Sequence, residues 1–285
     1  MSLDAVVTGA STGIGRSAVK ALVGHGWRVF AGVRKVADAE SLRQEFGEAV
    51  EPLLFDVTDI AAVHRAADET RVKLGGHTLK GLVNNAGLAI GGPLAHQPID
   101  QIRRAFEVNA LGAVTVSQAF IPLLGADSSL TGGPGRIVNI SSVAGRIAAP
   151  FLGDYAMSKH ALEAFSDSLR RELMIYGIDV IVIGPGSIAT PIWDKAEATD
   201  DSVYADTDYG PALKRFKAAF VKRGRQGLPV ERLGEAIHLA LTAPNPRARY
   251  VVLRNRFVNW TLPLLLPKRV LDRVIARALG LTRRA

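Results

Sequence analysis

Apolar residues fall along this chain in two alternating rhythms. Short runs rich in valine and isoleucine, at 5–8, 28–33, 51–56, 81–84, 136–141, 179–183 and 249–253, predict strands. Stretches at 14–24, 37–46, 61–74, 99–124, 155–176 and 230–241 repeat their apolar positions at helical spacing and predict helices. Strand–helix alternation of this kind gives a parallel sheet covered on both faces. The expected fold is α/β, a doubly wound parallel sheet in a single domain, which takes ligands at the carboxyl ends of its strands where the strand order reverses.

The alternation breaks at 187–229. There the acids Asp194, Glu197, Asp200, Asp201, Asp206 and Asp208 precede a basic helical stretch at 211–223. A long excursion at this point predicts a lid over the site. No repeat of solenoid period is present, and the turn-rich Thr131-Gly-Gly-Pro-Gly135 reads as a surface loop.

Composition narrows the chemistry. With 285 residues and 48% hydrophobic residues the chain can bury one sizeable core, and with no cysteine it has neither disulfides nor a thiol nucleophile. The amino terminus runs straight into a strand pattern, so no signal peptide is expected. The longest apolar run, near Leu262-Pro-Leu-Leu-Leu266, is far shorter than the roughly 20 residues of a spanning helix. A cytoplasmic protein, soluble or peripheral to a membrane, follows from these two expectations. The net charge of +8 is concentrated at one end: residues from Arg247 onward carry +9, and everything before them carries −1. Basicity confined to a tail argues against a general affinity for nucleic acid.

Three groups of residues carry chemistry. The glycines at 9, 13 and 15 follow a strand and open a helix, where backbone N–H groups and the helix dipole suit a nucleotide pyrophosphate. Tyr155 and Lys159 lie four apart on one helix face, so the ammonium sits near the phenol and favours the phenolate. Ser142, thirteen residues before Tyr155 and at the end of a strand, can hold a carbonyl oxygen beside that phenol. Each has a plainer role open to it: a tight turn for the glycines, core packing for Tyr155, a solvated charge for Lys159.

Together these residues resemble the short-chain dehydrogenase/reductase family. The resemblance runs over roughly the first 250 residues through Thr8-Gly9-x-x-x-Gly13-x-Gly15, Asp56-Val57, Asn84-Asn85-Ala86-Gly87, Asn109, Ser142, Tyr155-x-x-x-Lys159 and Pro185-Gly186. It implies a Rossmann-type fold and a hydride-transferring oxidoreductase, of the type resembling hydroxysteroid and retinol dehydrogenases and carbonyl reductases. It assigns Thr8, Gly9, Ser11, Thr12, Gly13, Ile14 and Gly15 to the pyrophosphate turn, Asp56 and Val57 to the adenine, and Asn85, Ala86 and Gly87 to the cofactor side of the sheet. By the same resemblance Asn109 kinks its helix and holds a water that relays protons to Lys159, while Ser142 orients the carbonyl and Tyr155 moves the proton. Lys159 binds the nicotinamide ribose and lowers the phenol pKa, and Pro185, Gly186, Ile188 and Thr190 line the nicotinamide.

Cofactor choice reads from the end of the second strand. The acid that holds a free ribose 2′-hydroxyl is missing: Val33 stands there, with Arg34 and Lys35 after it, which favours NADP(H) over NAD(H). By family analogy Leu88, Ile90, Leu94, Ile147, Phe151, Leu152, Trp193, Tyr204, Tyr209, Phe216 and Phe220 wall the pocket, an inventory that predicts a bulky lipophilic ketone, aldehyde or secondary alcohol. About half of these are open to being core packing instead.

The expected boundaries are a catalytic domain at 1–256, with the lid at 187–229, and an extension at 257–285. Within the extension, residues 267–280 begin with proline and end with glycine and separate an apolar stripe (Val270, Leu271, Val274, Ile275, Ala278, Leu279) from a basic one. With Trp260 and 262–266 it suits either the surface of an anionic membrane or docking on the protein itself. His96 and His160 lie near the proposed site without metal-ligand spacing, so no metal is assigned. The resemblance also implies pairing through 99–124 and 155–176, to give a homodimer or homotetramer. Competing readings are an NAD(H)-linked secondary-alcohol dehydrogenase and a non-catalytic dinucleotide sensor.

Overall fold

Ala5, Val6 and Val7 of the first strand are completely buried, as an unbroken apolar run must be when helices cover both faces of a parallel sheet. The computed structural model describes residues 3–282, so Met1, Ser2 and the tail arginines Arg283 and Arg284 lie outside the described residues. In chain order the strands are β1 (Leu3–Thr8), β2 (Trp27–Val33), β3 (Val50–Leu54), β4 (Gly81–Asn84), β5 (Arg136–Ile140), β6 (Asp179–Pro185), β7 (Ile188–Ala189), β8 (Leu228–Pro229) and β9 (Arg249–Val252). Among the described residues the main sheet is parallel throughout, with order β3-β2-β1-β4-β5-β6-β9. Strand order reverses between β1 and β4, so the ligand crevice of this sheet opens at Thr8 and Asn84.

Helices α1 (Gly13–Gly24), α2 (Val36–Phe46) and α9 (Glu231–Thr242) cover one face through Val19, Leu22, Leu42 and Ile237. Helices α3 (Ile60–Leu74), α5 (Gly112–Phe120) and α6 (Gly153–Glu172) cover the other through Val63, Val116, Phe120 and Leu169. Local chemistry sets the ends of these helices. Asp59 caps α3 by accepting from the Ala62 N–H at 2.9 Å, and left-handed Gly75 ends it.

The single helix predicted over 99–124 is instead α4 (Ile99–Phe106), a π turn at Glu107–Leu111, α5 and a 3₁₀ turn at Pro122–Leu124. One extra residue in a turn leaves the apolar period almost intact, so the pattern alone does not show the break. The excursion at 187–229 contains β7, α7 (Ile192–Ala198), α8 (Gly210–Arg225) and β8. The two short strands pair with each other and were not predicted, because two residues carry no period.

The extension forms a π turn at Phe257–Thr261, α10 (Leu262–Leu265) and α11 (Lys268–Leu279). The end of α11 docks on α8: Arg215 donates to the Leu279 carbonyl from Nε at 3.0 Å and Nη2 at 2.8 Å, and Leu279 and Leu281 pack near Phe151 and Leu213. Val270 and Val274 remain exposed, as do Phe257, Val258 and Leu265.

Candidate active site

The glycine turn is built by close approach. Gly9 has φ +64°, a region that costs a side chain strain, and a Cβ on Gly15 would run into the Gly9 carbonyl oxygen. Asn85 fixes the turn from β4, its Nδ2 donating to the carbonyls of Thr8 at 2.9 Å and Gly9 at 3.1 Å. In return the Thr8 hydroxyl accepts from the Asn85 and Ala86 N–H groups, each at 3.0 Å. Thr12 stands at the N-cap of α1 without a side-chain cap, and the first turn has no acid, so the N–H groups of Gly13, Ile14 and Gly15 face outward at the positive end of the helix. That donor set and the side-chain-free cradle fit a pyrophosphate.

Arg16, which the sequence reading passed over, shapes the same turn. Its Nη1 donates to the Ser11 carbonyl at 3.2 Å, and its guanidinium is paired with Glu45 of α2. Thr190 closes over the turn from β7, its Cβ 3.7 Å from where a Gly13 side chain would begin. Pro185 ends β6, and the Gly186 N–H donates to the Val252 carbonyl at 3.0 Å, which holds Gly186 and Ile188 at the mouth of the sheet.

At the end of β2, Arg34 and Lys35 are exposed. Arg34 lies 3.6 Å from Asp56, so the two residues expected to serve different parts of a nucleotide face each other. Burial pushes the Asp56 carboxyl up, but the Thr58 N–H and hydroxyl, bound at 3.0 and 2.9 Å, and then Arg34 bring it below the ordinary value. Val57 is buried.

Ser142, Tyr155 and Lys159 meet at the end of β5. The Ser142 hydroxyl stands close enough to the Tyr155 phenol to favour its ionised form, and it accepts from the Ala144 N–H at 3.1 Å, capping a short 3₁₀ turn at Val143–Gly145. Lys159 is buried, its Nζ donates to the Ile140 carbonyl at 2.8 Å, and it lies 5.8 Å from the centre of the Tyr155 ring. Burial lowers Lys159 to about 8, against the opposing pull of the Glu163 carboxylate.

One expectation is corrected here. The phenol of Tyr155 is not lowered: burial raises it, and the neighbouring Ser142 hydroxyl opposes that only in part. The Lys159 ammonium gives one of its donors to the Ile140 carbonyl and stands 5.8 Å from the phenol ring centre, so it reaches the phenol by its charge.

Asn109 anchors the neighbouring turn. Its side chain is committed to backbone: Oδ1 accepts from the Leu88 N–H at 2.8 Å, and Nδ2 donates to the Leu88 carbonyl at 2.8 Å and to the Ser158 hydroxyl at 3.0 Å. It sits in the π turn, as a kinked helix requires, but as a strut for the turn that carries Gly87. A Cβ on Gly87 would stand 3.2 Å from Asn109 Oδ1 and 3.6 Å from Lys159 Nζ. The 84–87 turn therefore touches the glycine turn at one end and Lys159 at the other.

A buried polar chain anchors this turn from below. Asn84 Nδ2 donates to Asn139 Oδ1 at 2.8 Å and to Ser117 Oγ at 2.9 Å, and Asn139 Nδ2 donates to Ser166 Oγ at 2.8 Å. Asn139 inside the apolar run of β5 was the available signal, since an amide there needs partners.

Of the expected wall residues, Phe151 and Tyr204 are buried; Phe216 lies tilted to Phe151 at 5.6 Å and stacked on Phe220 at 5.2 Å, so these rings pack the 187–229 excursion against the body. Trp193 packs edge-on to Phe220 at 5.0 Å and donates to the Ile188 carbonyl at 2.6 Å. Leu94 is half exposed above Gly153, and Leu88, Ile90 and Ile147 remain partly open. A cavity of about 1000 Å³ lies between α7 and α8, lined by Asp201, Lys217, Lys222 and Arg225 among others. It touches none of Ser142, Tyr155 and Lys159, and is a charged groove of the 187–229 excursion apart from the candidate site.

His25, Glu235 and His238 form a cluster at the far end of α1 whose ligand atoms lie within 4.8 Å, which sequence spacing did not announce because α1 and α9 are far apart in the chain. The two imidazoles stack 3.7 Å apart and 5° from parallel, so their in-plane lone pairs do not converge on one ion as they stand.

A family model described as short chain dehydrogenase matches residues 4–201. An NADPH-dependent 3-dehydrocapnine reductase of Ornithobacterium rhinotracheale is 41% identical over 275 residues, covering 96% of each chain. Retinol dehydrogenase 5 of Mus musculus is 35% identical, covering 94% of this chain and 86% of its own. Among solved structures, a short chain dehydrogenase from Burkholderia cenocepacia in complex with NADP superposes with a TM-score of 0.73 at 25% identity, covering 96% of this chain and 97% of that one.

Proposed function

The chain belongs to the short-chain dehydrogenase family, and we propose that it is an NADP(H)-dependent oxidoreductase interconverting a bulky lipophilic ketone or aldehyde and its alcohol. The observation that carries this reading is the gathering of Ser142, Tyr155 and the buried Lys159 at the end of β5, with Lys159 Nζ 5.8 Å from the Tyr155 ring centre and beside the Gly87 turn. The nicotinamide, when bound, supplies or takes up the hydride. Ser142 holds the carbonyl oxygen, Tyr155 gives its proton to that oxygen in reduction and removes it in oxidation, and Lys159 supports the charge left on the phenol. The glycine turn, Ser11 and the start of α1 hold the pyrophosphate, and Arg34 and Lys35 hold the 2′-phosphate.

NADP(H) is supported by the missing acid at Val33 and by the NADPH-dependent relative. The exposed Arg34–Asp56 pair is worth at most about 1 kcal/mol, so Arg34 is readily released to a phosphate. Arg34→Ala is expected to raise the KM for NADPH by roughly 10-fold or more, the scale of one charge-assisted hydrogen bond, and to leave that for NADH unchanged. Equal effects on both cofactors would remove Arg34 from phosphate recognition.

A lipophilic substrate is supported by Leu88, Ile90, Leu94 and Ile147 and by relatives named for retinol. The decisive experiment is NADPH oxidation across aliphatic, aryl and polycyclic ketones of increasing apolar bulk: rates that rise with bulk sustain the reading, and a rate confined to small polar carbonyls ends it. We further read the exposed Ile99, Leu111 and Met157 as a dimer face, and the basic extension with Phe257, Val258 and Leu265 as a peripheral contact with anionic lipid. Size-exclusion mass and co-sedimentation with anionic vesicles check these two, a monomer and an unbound supernatant being the results against them.

A further inference from the structure

We propose that Arg249 is a positioning residue for the Ser142–Lys159 site, and that Trp260 of the carboxyl-terminal extension holds it in place. The inference rests on the oxidoreductase reading, because it says what keeps that site in register. Arg249 begins β9, at the edge of the sheet, and its side chain runs inward over Gly184 of β6, where a Cβ would collide with Nη2.

One guanidinium then serves two elements of the site. Its Nη2 donates to the Ser142 carbonyl at 3.3 Å, an oxygen that also accepts from the Gly145 N–H at 3.1 Å and so anchors the turn beneath the Ser142 hydroxyl. Its Nη1 is paired with Glu163, which is only 5% exposed and lies one helical turn beyond Lys159 on α6. Glu163 is also the carboxylate that opposes the fall in the Lys159 pKa. Arg146, just after the same turn, approaches Glu163 at 3.4 Å from its more exposed side.

On its outer face Arg249 is covered by Trp260, whose ring centre lies 4.8 Å from the guanidinium carbon. An indole over a guanidinium attracts the cation and keeps water from it, which strengthens the buried pair beneath. Trp260 belongs to the π turn at Phe257–Thr261, the first element of the extension. The extension thus reaches the reaction centre through Trp260, Arg249 and then Ser142 and Glu163, by contacts independent of the lid.

The test compares Trp260→Ala, Trp260→Phe and Arg249→Lys in the full chain with wild type, reading kcat, the NADPH dissociation constant and hydrogen exchange at the Ala144 and Gly145 amides. Trp260→Ala is expected to lower kcat about five- to tenfold with NADPH affinity unchanged and to speed exchange at both amides. Trp260→Phe, which keeps a ring over the cation, restores at least half of the rate. Arg249→Lys keeps the charge but has one nitrogen for two acceptors, and behaves like Trp260→Ala; it decides the matter with Trp260→Phe should the alanine variant not fold. Wild-type kcat and exchange in both Trp260→Ala and Arg249→Lys would overturn the proposal, as would a loss felt equally by the alanine and phenylalanine variants. Failure of the oxidoreductase reading looks different: the wild type would then turn over no ketone, while exchange at Ala144 and Gly145 would still respond to Trp260→Ala if the coupling holds.

Discussion

Replacing Tyr155 by phenylalanine is expected to cut ketone turnover by about 10³-fold, inside the roughly 10²–10⁴ range of a positioned proton donor, while NADPH binds as before. On a free-energy scale that is about 4 kcal/mol of transition-state stabilisation. The substitution is clean because the ring stays and only the hydroxyl beside Ser142 goes. Ser142→Ala would be a poorer probe, since the Ser142 hydroxyl also caps the turn at Val143–Gly145 and its removal loosens backbone as well as chemistry. Lys159 remains anchored on the Ile140 carbonyl in the phenylalanine variant, so its charge survives. The wild-type rate of reduction should fall as pH rises through about 8, where Lys159 loses the proton that supports the phenol's negative charge. The sign follows from Lys159 being a base whose pKa burial has lowered: the charged form exists below that value and disappears above it. Single-turnover kinetics with Tyr155→Phe and a bulky ketone check the first expectation, and a residual rate of a tenth or more would take the proton-donor role from Tyr155.

The main sheet was legible in the sequence because each strand is an apolar run bounded by polar or turn residues, and burial on both faces leaves no room for ambiguity of face. Val50–Leu54 against the predicted 51–56 and Asp179–Pro185 against 179–183 show the limit, which lies in the ends and not in the elements. The candidate site left its marks in the sequence for a different reason. Glycines at 9 and 15 are demanded by backbone contact, and Tyr155 and Lys159 by the helix repeat, so both leave marks at fixed spacing. What spacing cannot carry is a contact between distant segments. The Arg249–Glu163 pair, the Asn84–Asn139 amide chain and the His25–His238 stack each join residues that only the topology brings together. Nor can spacing weigh burial against charge at Tyr155, where four residues' separation from Lys159 announced attraction and the folded environment gave desolvation the larger share.

Asn109→Leu, similar in volume, is expected to lower both stability and turnover, and the pairing of the two effects is what identifies a strut. Three hydrogen bonds end on the Asn109 side chain, which is 1% exposed, and the two to Leu88 satisfy both the N–H and the carbonyl of one residue in a turn with no ladder partner. At about 0.5–1.5 kcal/mol net for each bond, the loss should come to about 2–4 kcal/mol of unfolding free energy. Turnover should fall on the order of 10- to 100-fold, because Gly87 in that turn sits against Lys159 Nζ and a shift of about 1 Å is enough to cost this much. Asn109→Asp separates the contributions, for it keeps an acceptor toward the Leu88 N–H but sets a carboxylate against the Leu88 carbonyl and loses the donor to Ser158. It should therefore be at least as unstable as the leucine variant, although its polarity is retained. Denaturant unfolding followed beside kcat reads both quantities. If Asn109→Leu lost turnover at unchanged stability, the side chain would be acting on the proton path itself and not through the turn that it holds.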